Sequence, residues 1–121
     1  MSVALEIETE RSGETLLSVL TQGRLDSTTA PQLENKINEE LGDDQSIKRI
    51  LLVCKDLHYV SSAGLSVFLG LVRRLGGAGE VALCQVSSSV HRVVKMAGFT
   101  QFINIYDDAE RAIEVLNKVP S

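Results

Sequence analysis

The sequence predicts an α/β domain: a mixed, mostly parallel sheet that opens with an N-terminal β-hairpin and carries about four helices. Three observations predict it. Short apolar segments with strand-like patterning are separated by longer stretches whose apolar residues recur at helical spacing. The first two strand-like segments follow one another across turn chemistry alone, as in a hairpin. The later ones alternate with helices, which implies parallel strands joined by helical crossovers. The 121 residues suit one domain, and 44% hydrophobic against 23% charged residues suffice to bury a core. We therefore expect a single domain over 1–121, with its core over about 3–116 and a fraying tail over 117–121.

The elements follow in order. Val3, Leu5 and Ile7 alternate with Ala4, Glu6 and Glu8, which predicts a strand with one wet face. Arg11-Ser12-Gly13-Glu14 is turn chemistry, and Leu16 to Leu20 reads as the second hairpin strand. Gly23-Arg24-Leu25-Asp26-Ser27 reads as a loop, in which Asp26 or Ser27 can cap the next helix. In that helix Ala30, Leu33, Ile37 and Leu41 share a face, Pro31 suits the first turn and Gly42 is the stop. Ile50–Cys54 is continuously apolar, as expected of a strand covered on both faces. A helix over roughly Ala63–Leu75 follows. It is lined by Leu65, Phe68, Val72 and Leu75, broadened by Val67, Leu69 and Leu71, and ended by Gly76-Gly77.

Val81–Cys84 is another short buried strand. Ser87-Ser88-Ser89 precede a helix with Val90, Val93, Val94 and Ala97 on one stripe. Gly98 closes that helix, and Phe99 is placed for the hydrophobic contact that accompanies such a stop. Phe102 to Ile105 reads as the last strand. Asp107 with Glu110 resembles a capping box for a final helix through Leu116.

Composition excludes several function classes. A net charge of −4, scattered basic residues and 4% aromatics without tryptophan argue against nucleic acid. No apolar run approaches the ~20 residues of a membrane span, so no membrane insertion is expected. Met1 to Glu6 lacks the basic start and apolar core of a signal peptide, so a cytoplasmic location is expected. Cys54 and Cys84 each end an apolar run and read as buried, reduced thiols rather than a zinc motif. His58 and His91 form no metal-ligand spacing. Ser62, His91 and Asp56 could be imagined as a hydrolytic triad, but no G-x-S-x-G elbow surrounds the serine. No phosphate-binding loop is present either, so neither a cofactor nor enzymatic activity is expected.

The remaining chemistry lies in Asp56-Leu57-His58-Tyr59-Val60-Ser61-Ser62-Ala63-Gly64-Leu65, where a buried strand turns into a helix. A helix start offers free N–H groups and the positive end of the peptide dipole. A serine placed there can cap the helix, or it can carry a phosphate, whose oxygens those groups would stabilise.

This run resembles the signature of the STAS domain, specifically of the bacterial anti-sigma factor antagonists. Gly23-x-Leu25-Asp26 resembles the family's second landmark, and the similarity spans roughly residues 3–116. The resemblance implies a partner-switching regulator of transcription. Unphosphorylated, such an antagonist binds an anti-sigma factor that is also a serine kinase and so frees a sigma factor. The kinase then phosphorylates the serine two residues before the motif glycine, here Ser62, and a serine phosphatase reverses the step. Asp26 matches the family's aspartate near that serine, and Asp56 with Leu57 matches its strand-end pair. Where many members have aspartate before the phosphorylated serine, this chain has Ser61, which becomes a second candidate acceptor. Ser88 and Ser89 read as helix-capping residues.

The expected partner surface comprises Ser61, Ala63, Gly64 and Leu65 beside Ser62, the strand-end Asp56, and the loop residues Gly23, Leu25, Asp26 and Ser27. A monomer is expected when the chain is free. The resemblance also admits an alternative, an unphosphorylated STAS subunit of a membrane transport or stress-sensing complex.

Overall fold

The structure, a computed structural model, describes residues 5–118. Its five-stranded sheet runs in sequence order: β1 (Leu5–Arg11), β2 (Leu16–Leu25), β3 (Arg49–Val60), β4 (Glu80–Cys84) and β5 (Asn104–Tyr106). The β1–β2 hairpin is antiparallel and the remaining pairs are parallel. Helices α1 (Ala30–Leu41), α2 (Ser62–Leu75) and α3 (Ser88–Met96) connect successive parallel strands, a short 3₁₀ turn spans Phe99–Gln101, and α4 (Ala109–Lys118) follows β5.

This strand order explains where the helices lie. Each crossover steps one strand in the same direction, so the right-handed rule places α1, α2 and α3 on one face. Their buried residues, among them Leu33, Ile37, Phe68, Leu71, Val90 and Val94, join Val19, Ile50, Leu52 and Leu83 in the larger core. The period of two sends Leu16, Leu51, Ala82 and Cys84 to the opposite face, where Ala112 and Leu116 of α4 cover them.

Several boundaries differ from the sequence expectation. Val3 lies outside the described residues; the strand it was to begin continues to Arg11. β2 does not stop at Leu20. Gly23, Arg24 and Leu25, expected in a loop, are its last residues and pair with Leu57, Tyr59 and Val60 across an irregularity in register. Gly23 has φ of +109°, which favours a residue without a Cβ at that irregularity. β3 likewise runs six residues beyond Cys54, so the expected serine loop shrinks to Ser61 alone. The cause is shared: each extension supplies backbone pairs to the other, which propensity in one segment does not reveal.

The buried stripe of α2 is Gly64, Val67, Phe68 and Leu71; Leu65, Val72 and Leu75 flank it half-buried. In α3, Val90 and Val94 are buried while Val93 and Ala97 face outward. Phe102 is not in the last strand, which begins at Asn104. Asp108, not Asp107, starts α4: its carboxylate accepts the Glu110 and Arg111 amides at 3.3 Å each. That helix passes Leu116 and reaches Lys118, and Asn117 Nδ2 donates to Ser12 O at 2.9 Å. The expected fraying of 119–121 falls outside the described residues. Cys54 and Cys84 are buried free thiols; burial pushes the first up to about 12 and the second to about 11, so both remain protonated, as small hydrophobes do.

Candidate functional site

Because β2, β3 and β4 are parallel, the segments leading into α1, α2 and α3 all leave the same edge of the sheet, the usual place for a site in such folds. Leu25 pairs with Val60 at that edge. The next residues, Asp26 and Ser61, are therefore neighbours, and the Ser61 amide donates to Leu25 O at 2.9 Å.

Each side of this junction is built for a reason. Asp26 folds the turn before α1: its Oδ1 accepts the Thr28 amide at 3.0 Å and the Thr29 amide at 3.1 Å. Thr29, not Asp26 or Ser27, takes the cap position of α1, and its hydroxyl donates to Arg24 O at 2.7 Å while accepting the Asp26 amide at 2.9 Å. The Thr29 amide foremost, and the Arg24 guanidinium 3.8 Å away among the lesser causes, holds the Asp26 carboxyl below its ordinary value. Asp26 is thus an ionised, partly exposed carboxylate in a turn that it organises itself.

On the other side, Ser61 is the cap residue of α2 in extended backbone, but its side chain makes no capping bond, and its Oγ is buried without a hydrogen-bond partner. Ser62 is the first helical residue and is exposed. The first intrahelical bond runs from the Leu65 amide to Ser61 O at 3.0 Å. The amides of Ser62, Ala63 and Gly64 precede it and have no acceptor within the helix. No acidic residue sits in that first turn, whereas Arg73 and Arg74 occupy the last. The turn is therefore positive and carries no carboxylate of its own.

Gly64 lets the helix start approach the sheet. A Cβ there would lie 2.8 Å from Leu25 Cγ and Cδ2 and 3.0 Å from Val60 Cγ1. The motif glycine, Leu25 and Val60 are thus one packing contact. It locks the Asp26 turn against the Ser62 turn.

The expected partner residues separate accordingly. Asp26, Ser27, Ser62, Ala63 and Leu65 gather at the sheet edge, each at least partly exposed, and Ser61 stands among them with its hydroxyl buried. Gly23, Leu25 and Gly64 are buried and act as scaffold. Asp56 is exposed but pairs with Gln22 four residues before the strand ends at Val60, roughly 13 Å along the strand, and Leu57 is a core residue. Asp56 and Leu57 are therefore not a strand-end pair; the extension of β3 moves the end to Val60.

Two site residues escaped sequence reasoning. Arg24 pairs with Tyr59 across β2 and β3, and its guanidinium lies 4.3 Å from the centre of the Tyr59 ring. Only the register brings them together. Ser87, and neither Ser88 nor Ser89, caps α3, accepting the Val90 amide at 3.2 Å. His91 is exposed on α3, as expected for a surface residue.

The profile of the STAS domain matches residues 6–112. The chain is 33% identical over 122 residues to the anti-sigma F factor antagonist of Paenibacillus polymyxa, covering 98% of this chain and 99% of that protein. Its fold superposes on the solved structure of the anti-sigma factor antagonist SpoIIAA in its unphosphorylated form. The TM-score is 0.82 at 21% identity, over 96% of this chain and 100% of that one. The Bacillus cell fate determinant SpoIIAA in the phosphorylated form gives a TM-score of 0.73 at 21% identity, over 92% and 99% of the two chains. Full-length identity, the family match and the shared fold agree: this chain belongs to the STAS domain family.

Proposed function

We propose that this chain is an anti-sigma factor antagonist whose hold on an anti-sigma factor is switched by phosphorylation of Ser62. The observation that carries the reading is the exposed Ser62 hydroxyl on a helix turn whose first amides lack acceptors. The role named for the Paenibacillus relative and the existence of a phosphorylated SpoIIAA structure support it. Ser61 is the poorer acceptor, because its Oγ is buried.

The chain supplies a nucleophile and no catalysis. A partner kinase passes the γ-phosphoryl group of its ATP to Ser62 Oγ as the bond to the β,γ-bridging oxygen breaks and ADP leaves, and the hydroxyl proton goes to a base on that kinase. The product carries about −1.5 to −2 added charge at pH 7. The first-turn amides accommodate that charge, so the fold survives while the surface that meets the partner changes sign. Asp26, held ionised at the neighbouring strand end, adds a second negative group to that surface. A serine phosphatase restores the binding form. Among the described residues no helix is long and apolar enough to cross a membrane, and a regulator of this kind works in the cytoplasm as a monomer when free.

The test is intact-mass analysis of the chain after incubation with the anti-sigma factor kinase of its host and ATP. One phosphate is expected on the native sequence and none on Ser62→Ala. Ser62→Asp is expected to bind that partner at least tenfold more weakly, about 1.4 kcal/mol, than Ser62→Ala. An unmodified mass, or phosphate retained in Ser62→Ala, overturns the assignment.

A further inference from the structure

Residues 85–106 contain no aspartate or glutamate, although the chain has 16 of them. The same stretch, which includes α3 and the turn after it, carries exposed His91, Arg92 and Lys95. Among the described residues no carboxylate forms an ion pair with Arg92 or Lys95. Arg92 and Lys95 thus form a cationic patch in an acidic protein, bordered by Asp107, which shares a cleft with His91.

The face is also apolar. The large hydrophobic side chains exposed among the described residues are Tyr59 (42%), Val93 (36%), Met96 (81%) and Phe102 (46%). Two of them, Val93 and Met96, lie on α3 itself, Phe102 closes the turn that follows it, and Tyr59, whose ring also meets Arg24, borders Val93. Val93 and Met96 stand three residues apart and are neighbours on the outer side of α3, adjacent to Arg92. Phe102 ends the 3₁₀ turn packed on α3 and lies against Phe99, ring centres 5.2 Å apart. Tyr59 shares a small cleft with Val93 and Ser89 at the Ser62 end of the helix. Burial of Val90 and Val94 already fixes α3 to the sheet, so the fold does not need the outer stripe.

We propose that this α3 face docks an acidic amphipathic helix of a partner protein. Apolar side chains of that helix would cover Val93, Met96 and Phe102, and its carboxylates would pair with Arg92 and Lys95. That the partner is the anti-sigma factor rests on the proposed function; the chemistry of the surface does not. The face then acts as a constant anchor beside a switchable end, because none of its residues carries the phosphate. Two other occupants fit less well. A second copy related by a two-fold axis would bring like charges of α3 together. A lipid surface is usually read by clusters of about 4–8 Lys/Arg, and α3 offers Arg92 and Lys95 over a helix of nine residues.

The test is an NMR titration of the isotope-labelled chain with a synthetic Leu/Glu amphipathic helix, a Leu/Lys helix of the same pattern, and vesicles of phosphatidylglycerol and phosphatidylcholine. Saturable shifts confined to α3, Tyr59 and Phe102 are expected with the Leu/Glu peptide alone. Its affinity should fall at least tenfold, about 1.4 kcal/mol, in Arg92→Glu/Lys95→Glu and in Met96→Asp, and stay unchanged in Arg73→Glu. The substituted side chains are exposed, so these variants should fold. Shifts elsewhere, equal binding of the Leu/Lys peptide, vesicle binding in place of peptide binding, or self-association through α3 would each overturn the proposal. Failure of the Ser62 assignment appears instead in the phosphate-transfer experiment and leaves this titration unaffected.

Discussion

At the start of α3, Ser87 Oγ accepts the Val90 amide at 3.2 Å, and the helix closes on a side chain of its own. At the start of α2, Ser61 occupies the same cap position in extended backbone, with ψ of 177° against 161° for Ser87, yet makes no capping bond. Both helices follow parallel strands and leave the same sheet edge. The difference lies in what surrounds the serine. Ser61 is tied through its amide to Leu25 O, and Gly64 draws the first turn onto Leu25 and Val60, which buries the Ser61 hydroxyl. Ser87 sits in an exposed segment, and its hydroxyl can turn to the helix. A cap residue therefore spends its oxygen on the helix only where tertiary packing leaves it free to do so. Where packing does not, the helix start keeps its positive character for another anion.

Four experiments would break or sharpen this contrast. Gly64→Ala should act most strongly. Helix propensity favours alanine by about 1 kcal/mol, but a Cβ 2.8 Å from two atoms of buried Leu25 overpacks the junction. Overpacking typically costs about 1–3 kcal/mol; two atoms of a core leucine must move, which puts the cost in the upper part of that range, about 2–3 kcal/mol, so a net loss of about 1–2 kcal/mol is expected in urea unfolding. A neutral or stabilising result would mean that the contact between α2 and the strand ends is slack.

Next comes the pair of serine deletions. Ser87→Ala should cost about 1 kcal/mol, the ordinary loss of a cap. Ser61→Ala should change stability by a few tenths of a kcal/mol or raise it, since it removes a buried hydroxyl that has no partner. Equal losses at both positions would abolish the distinction between the two helix starts.

Ser62→Asp should raise the melting temperature, by a stabilisation of about 0.3–1 kcal/mol, because it places a charge at a positive turn that has none. The effect should shrink with added salt. Destabilisation would show that the first-turn amides do not welcome an anion.

The smallest effect belongs to Asp26. Its carboxyl is held below its ordinary value of 3.8 by the Thr29 amide foremost. A depressed folded-state value means that the carboxylate stabilises the fold above the ordinary value, and that this contribution fades as pH falls through the lowered one. Asp26→Asn should lower stability slightly at neutral pH, where the carboxylate contributes, and flatten the acid limb below about pH 4, so that the two profiles converge in acid. A profile identical to that of the native sequence would show that the turn does not depend on the charge.

Much of the site was legible because its signals are local. Ala30, Leu33, Ile37 and Leu41 share a helical face in the sequence and are the buried residues of α1. Ser61 and Ser62 stand where an apolar strand meets an apolar helix, and that alone marks a helix start. Asp26 was legible as a capping group, although it caps a turn before the helix rather than the helix itself. Arg24 and Tyr59 were not, since 35 residues separate them and only strand register makes them partners. Asp56 and Leu57 misled for the same reason: the strand continues past them because β2 continues beside it. Asp107 and Asp108 are adjacent carboxylates, and the backbone path out of β5 selected the second.

The sequence by itself determined the class of fold, the succession of elements and the serine at the helix start, because hydrophobic period, caps and breakers act within a few residues. Tertiary structure alone decided which face each helix covers, how far β2 and β3 extend, and which hydroxyl is buried and which is exposed. Those outcomes depend on pairing and packing between distant segments, where a single register or a single close contact sets the environment of every neighbouring group.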